Sequence, residues 1–312
     1  MKHAILEWAE SRGYEVGWTE PAAIGEVVAE VEKRRHVAGF DEALGHEPPS
    51  LDAGQSARTD PWKILVVVMP RPAHLVRFLA GGRTVETVLP PTYERYRPTF
   101  EDVRGELAGS VLRGATVETL NAPLKLLSAR LGLVRYGRNN VTYSPSAGSY
   151  LQLLGYLTDA DMPEKAHRHP QAPALLDKCD GCGVCEALCP TSAIGDDRVL
   201  LHVDRCLTLI NETAGPWPSW LPAGAHNCLI GCLACQRRCP ANPELTTIDS
   251  GVLFSEEETS ALLAGDERNG PVWAGIRHKL ETLGQPYQEA IVGRNLKALM
   301  QARNIGVQHA SR

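Results

Sequence analysis

The chain has 312 residues, a length that suits about two domains of roughly 150 residues each. Hydrophobic residues make up 43% and charged residues 22%, which excludes a disordered chain or a coiled coil, and no apolar run nears the ~20 residues of a membrane span. The net charge of −5 argues against a protein whose main task is to coat nucleic acid, and Glu7 and Trp8 interrupt the stretch a signal peptide would keep apolar, so a cytoplasmic protein is expected.

The first element reads as an amphipathic helix with Ile5, Trp8 and Ala9 at helical spacing, ended by Arg12-Gly13. A second helix is expected over Ile24 to Val37, followed by a surface connection from Gly39 to Asp60 rich in Gly, Pro, Ser and Asp. Ile64 to Met69 is a continuous, largely β-branched run closed by Pro70, the pattern of a strand covered on both faces. Val85 to Leu89 reads as a further strand stopped by Pro90-Pro91. Thr99 with Asp102 resembles a capping box ahead of a helix carrying Phe100, Val103, Leu107 and Val111 on one face. Asn121 is expected to cap another helix, with Leu124, Leu127 and Leu131 on one side and Gly132 near its end.

The prolines at 163, 170 and 173 form a linker into the cysteine segment, and a boundary is placed near Asp161. Beyond Cys239 come an acidic stretch, Glu256 to Glu258, and two expected helices containing Ile276, Leu280, Leu283, Ile291, Leu296 and Leu299. The expected fold is therefore α/β (α+β). It has an α/β domain over 1–161, a two-cluster ferredoxin-like domain over 162–248 and a helical C-terminal segment over 249–312.

All nine cysteines fall between Cys179 and Cys239. In a chain without an export signal, such thiols read as metal ligands before disulfides. Cys179-x2-Cys182-x2-Cys185-x3-Cys189-Pro190 is the bacterial ferredoxin run, in which three thiolates hold one cubane and the fourth crosses to another. Cys232-x2-Cys235-x3-Cys239-Pro240 repeats its last three positions. The crossing rule assigns one [4Fe–4S] cluster to Cys179, Cys182, Cys185 and Cys239, and a second to Cys189, Cys232, Cys235 and one more thiol. Cys206 and Cys228 compete for that place; the strand-like Val199 to Val203 favours Cys206, and Cys228 then reads as a small buried residue. Zinc, the competing use of C-x2-C pairs, has no need of the x3-Cys-Pro continuation, twice.

These residues resemble the corrinoid and iron–sulfur reductases typified by epoxyqueuosine reductase, more distantly related to reductive dehalogenases. Gly13 to Gly17, Ile64 to Pro70, the loop Leu131 to Asn140, Gly148-Ser149-Tyr150, Gly155-x2-Thr158-Asp159 and Asp204-Arg205-Cys206-Leu207 follow the family's order, the last supporting Cys206 as a ligand. The resemblance implies an N-terminal domain that binds cobalamin, with Gly137, Arg138, Asn139, Asn140, Gly148 and Ser149 approaching the corrin. It implies a proton donor at Glu118, where the family has an aspartate. Tyr136, with Tyr93, Tyr96 and Tyr143, is a further candidate acid or stacking group. Arg138 and Asn140 replace the family's lysine and threonine, a change that keeps the charge but alters the hydrogen-bond geometry. His167, His169, His202 and His226 lack partners at metal spacing and receive no role.

The reading that results is a cytoplasmic reductase in which two clusters, supplied by a ferredoxin or flavodoxin type donor, reduce a corrinoid that acts on a small or nucleoside-like substrate. The alternatives are an electron carrier without enzymatic activity and a true epoxyqueuosine reductase acting on tRNA. The last needs Arg277, Lys279, Arg294, Lys297 and Arg303 to form a nucleic-acid surface, and the short tail and acidic balance argue against it.

Overall fold

The computed structural model describes residues 3–34, 55, 57–195, 201–265 and 268–303. The chain forms two compact units, each assembled from separate stretches: Met1–Arg71, Arg97–Cys182 and Pro240–Pro243 in the first, Pro72–Tyr96, Gly183–Cys239 and Glu244–Arg312 in the second. The division therefore falls inside the cysteine segment, away from the boundaries expected at 161 and 248. In chain order the strands are β1 (Glu15–Thr19), β2 (Lys63–Pro70), β3 (Ala73–Ala80), β4 (Arg83–Leu89), β5 (Val117–Thr119), β6 (Arg135–Tyr136), β7 (Thr142–Tyr143), β8 (Leu151–Thr158) and β9 (Thr247–Phe254).

The first unit is built on a sheet of order β1-β2-β8-β5, antiparallel at every pairing. Because side chains alternate across a strand, β2 sends Ile64, Val66 and Val68 to one face and Leu65 and Val67 to the other. The helices Ala23–Arg34 and Leu124–Arg130 supply Ile24, Val27, Leu126 and Leu127 to the first face. Helix Ala4–Arg12 supplies Ile5 and Trp8, and helix Tyr96–Glu106 supplies Val103, to the second. The covered strand expected at Ile64 to Met69 is thus present. β8, whose eight residues are all buried, was not foreseen, because Gln152 and Gly155 break its apolar pattern.

Local signals fared unevenly. Gly13 ends the first helix in the left-handed conformation, as expected of Arg12-Gly13. The helix expected to begin at Thr99 starts at Tyr96, so Thr99 is buried inside it rather than capping it. The helix expected to be capped by Asn121 begins after Pro123 without a side-chain cap. The expected helical residues 35–37 and most of the connection from Gly39 to Asp60 lie outside the described residues.

The second unit has a sheet of order β4-β3-β9, with β3 and β9 parallel. Its core joins Val76, Phe78, Val85 and Phe254 of the sheet to Trp273, Ile276, Leu280, Val292, Leu296 and Leu299 of the helices Gly270–Thr282 and Glu289–Ala302. The segment expected to be purely helical therefore contributes a strand. A third helix, Glu256–Ala264, precedes the two expected, started by a capping box between Ser255 and Glu258. The ferredoxin-like expectation is corrected in one respect: among the described residues of 178–242 there are short helical turns and no strand. Val199 and Leu200 of the expected strand lie outside the described residues, and Leu201 and His202 are coil before a turn at Val203–Arg205.

Candidate metal centres

In the second unit two cysteines stand on short helices, and the others lie in the turns and coil around them. Cys185 lies in the helix Val184–Ala187 and Cys235 in Ala234–Arg237, and these two helices pack together. Cys206 is the N-cap residue of the helix Leu207–Glu212. Cys189 Sγ accepts the backbone N–H of Ala193 at 3.2 Å. Cys232 Sγ accepts two donors, the Asn227 side-chain amide at 3.2 Å and the Ala234 backbone N–H at 3.4 Å. N–H donors of this kind stabilise thiolate and tune the potential of a cluster held by it. Burial pushes the Cys232 thiol up, its N–H donors pull it down, and the nearby sulfurs of Cys206 and Cys189 push it up again. Cys189 and Cys206 thus lie near Cys232.

Cys228 differs from the other eight in being fully buried, and none of the nine is in a disulfide. Burial raises its thiol to about 12. Its S–H donates to Asn227 Oδ1 at 3.2 Å, the amide whose Nδ2 donates to Cys232 Sγ. Cys228 is therefore linked to Cys232 through Asn227. Among the described residues, no three His, Cys, Asp or Glu side chains gather around the position of a single metal ion.

The segments carrying the second unit's thiols are fastened by asparagines and by Arg294, which the sequence reading offered only as a nucleic-acid cation. Asn295 is fully buried and donates to the carbonyls of Asn211 at 3.0 Å and Leu229 at 2.8 Å. Asn211 donates to Gly231 O at 2.8 Å and faces His226 Nδ1 at 3.2 Å. Arg294 donates to the carbonyls of Ile210, Asn211, Thr213 and Gly215 and stacks on Trp217 with 3.8 Å to the ring centroid. Tyr93 donates to Glu212, and burial raises both of these acids. Asn227, beside the cysteines, was the available signal: a short amide next to a thiol is a donor placed where sulfur needs one.

The proposed nucleic-acid cations are mostly engaged within the second unit. Arg277 pairs with Glu289 at 3.1 Å, Lys279 with Glu258, Arg294 holds its four carbonyls, and Arg303 donates to Glu86 O at 2.6 Å. Lys297 is exposed.

In the first unit, Cys179 closes a helical turn and Cys182 N–H donates to Cys179 O at 3.4 Å. The loop between β6 and β7 lies against this turn, with the Arg138 backbone N–H donating to Cys179 Sγ at 3.4 Å. Asn139 is 2% exposed; its side chain donates to Tyr143 Oη at 2.8 Å and accepts from Val141 N–H at 3.2 Å. Asn140 adopts a positive φ of 57°, donates its N–H to Gly137 O, and accepts Lys125 Nζ at 2.7 Å on its carbonyl. Gly148 donates to Ser144 O, while Ser149 N–H donates to Asn242 Oδ1 at 2.7 Å and Ser149 Oγ accepts Asn242 Nδ2 at 2.9 Å.

These facts test whether the six residues fit a corrin. The backbone N–H groups of Gly137, Arg138, Asn140, Gly148 and Ser149 all have protein acceptors. A Cβ on Gly137 would stand 2.6 Å from Asn139 Oδ1 and Tyr143 Cε2, and one on Gly148 2.4 Å from Asn242 Oδ1. The missing side chains are therefore accounted for by protein atoms, and the donors a corrin's amides would need are already committed. At five of the six positions the backbone donor is thus taken up within the protein. Glu118, on the edge strand β5, is 38% exposed and paired with Arg58 at 2.8 Å. Tyr136 uses its backbone to bind Ala174 and Leu176 and lies within 6.0 Å of Lys125 Nζ. His167 stacks on Trp18 and pairs with Glu20, and His226 packs on Trp217.

Residues 178–242 match the family model of the 4Fe-4S double cluster binding domain, so the chain carries the cysteine segment of a two-cluster iron–sulfur protein. Its relatives are more particular. The chain is 30% identical over 134 residues to the epoxyqueuosine reductase of Staphylococcus aureus, a match covering 43% of this chain and 33% of that one, so the chain spans about a third of that relative's length. In fold it is similar to the epoxyqueuosine reductase of Bacillus subtilis, at 17% identity with a TM-score of 0.65, covering 97% of this chain and 81% of that one. It is likewise similar in fold, at 15% identity and a TM-score of 0.60, to an epoxyqueuosine reductase solved with a tRNA-Tyr epoxyqueuosine-modified tRNA stem loop, covering 96% of this chain and 80% of that one.

Proposed function

We propose that the chain is a two-cluster iron–sulfur oxidoreductase that acts, as its relatives are named for doing, on epoxyqueuosine carried by tRNA. The doubled cysteine run inside a fold like that of the epoxyqueuosine reductases carries this reading. Cys179, Cys182, Cys185 and Cys239 would hold one [4Fe–4S] cluster, and Cys189, Cys206, Cys232 and Cys235 the other. When bound, such clusters pass electrons singly between a donor and a substrate site. A low-potential ferredoxin or flavodoxin is the proposed donor. The neighbour solved with modified tRNA favours a tRNA-borne nucleoside over a free small molecule.

What the chain's own residues supply is thiolate stabilisation and placement. Ala193, Ala234, Asn227 and Arg138 direct N–H groups at sulfur, and Asn211, Arg294 and Asn295 fix the loops that bear the ligands. Glu118 remains a candidate proton donor, which would have to part from Arg58 first. With Arg277, Lys279, Arg294 and Arg303 engaged, tRNA binding would draw on other residues. Among the described residues no helix is long and apolar enough to cross a membrane.

The test is anaerobic reconstitution followed by turnover of epoxyqueuosine-containing tRNA with a chemical reductant. About eight irons per chain and formation of queuosine are expected. Bound zinc in place of iron would overturn the reading, and eight irons without any turnover would leave the electron-carrier alternative in its place.

A further inference from the structure

We propose that the loop Gly137–Asn140, with the Ser149–Asn242 pair, is a clamp that places and electrostatically tunes the first cluster, in the position where the resemblance would put a corrin seat. The inference rests on the two-cluster reading and adds to it a role for residues outside the cysteine segment. All of the contacts lie within the first unit, which includes Cys179, Cys182 and the four residues that follow Cys239.

The loop is shaped for this. Asn140 N–H bonds to Gly137 O, closing a four-residue turn with Arg138 as its second residue. In such a turn the second residue's N–H takes no part in the closing bond and faces outward. Here it faces the Cys179 sulfur at 3.4 Å. The turn is held rigid from three sides: Gly137 N–H bonds to Val141 O at 2.8 Å, Asn139 is buried against Tyr143, and Lys125 grips Asn140 O.

The residues around Cys179 are fixed by the same hairpin. Tyr136 N–H bonds to Ala174 O at 3.0 Å and Leu176 N–H to Tyr136 O at 2.8 Å, while Arg135 Nη1 donates to both oxygens of Asp177 at 2.9 Å. Lys178 Nζ donates to Pro240 O at 3.3 Å. Asn242 is locked by its reciprocal bonds with Ser149, and Gly148 leaves just the room that Asn242 and Pro243 occupy. One end of the cluster's ligand set and the chain just beyond the other are thus pinned by a single set of loops. An N–H aimed at a cluster thiolate stabilises the more negative, reduced cluster, so the clamp raises the cluster's potential.

Arg138→Pro is the decisive variant. Proline suits the second position of this turn yet has no N–H, so the variant keeps the loop and deletes the donor to sulfur. Arg138→Ala keeps the donor and deletes only the side chain. EPR-monitored potentiometric titration of the reconstituted proteins is the readout. The expected result is a more negative midpoint for one of the two clusters in Arg138→Pro, with Arg138→Ala like the wild type. Loss of half the iron in Arg138→Pro alone would show the same clamp acting through placement. Two unshifted midpoints in an iron-replete Arg138→Pro would overturn the proposal, as would an equal shift in Arg138→Ala. Retention of one hydroxocobalamin per chain by the wild type and its release by Arg138→Pro would overturn it too, by making the loop a corrin seat. A wild type that never takes up about eight irons would instead defeat the two-cluster reading itself.

Discussion

Asn295→Leu is the substitution with the most far-reaching expected effect. The wild-type amide is fully buried and sends one N–H to Leu229 O at 2.8 Å and one to Asn211 O at 3.0 Å. Leucine is close in size but has no donor, so both carbonyls lose that partner in a site shut off from water. A buried acceptor left without a donor costs about 1–3 kcal/mol. Asn211 O keeps a weaker donor in Arg294 Nη2 at 3.3 Å, so its loss is at the low end of that range, and the two together come to about 3 kcal/mol. For a domain of about 150 residues this lowers the unfolding midpoint by roughly 6–12 °C. The two carbonyls also belong to the segments after Cys206 and before Cys232, so the second cluster should be lost faster on mild heating. The assay is thermal unfolding followed by circular dichroism, with iron release recorded in parallel by absorbance. An unchanged midpoint together with unchanged iron release would refute the view that Asn295 ties these segments together.

Three further outcomes are expected. Cys206→Ala should lower the iron of the reconstituted protein from about eight to about four, while Cys228→Ala should leave about eight; equal losses would make Cys228 a ligand. Burial, with Arg294 nearby, lowers His226 from 6.5 to about 4, so between those values the unfolded chain takes up a proton that the folded chain refuses. Stability should therefore fall as pH drops from 6.5 toward 4, by about 1.4 kcal/mol per unit, and His226→Asn should flatten the profile measured by urea unfolding. Gly293→Ala should destabilise by about 1–3 kcal/mol in denaturant despite alanine's better helix propensity, because its Cβ would stand 2.2 Å from Leu262 O at a helix crossing; a stabilised variant would show that the crossing yields.

The cysteine spacing was legible without any coordinates, since a ligand run is local: three thiols at x2 spacing and a fourth before proline declare their chemistry in a dozen residues. The strand at Ile64 was legible for a similar reason, as an unbroken apolar run reads as a strand buried on both faces. β3, β8 and β9 were not. Each mixes polar residues or glycine into its pattern, and each is a strand because of the partner it pairs with. The partners of the glycine and asparagine loop from Gly137 were not legible, because sequence shows that backbone N–H groups are presented and not what receives them.

The sequence by itself determined that this protein carries a double 4Fe-4S cluster segment and how many thiols it brings to it, because ligation depends on residue type and short-range order. Only the tertiary structure decided what surrounds those thiols. Buried amides must find their hydrogen-bond partners across distant parts of the chain, and that accounting places Arg138 on Cys179, Asn227 on Cys232 and Asn295 between the loops of Asn211 and Leu229.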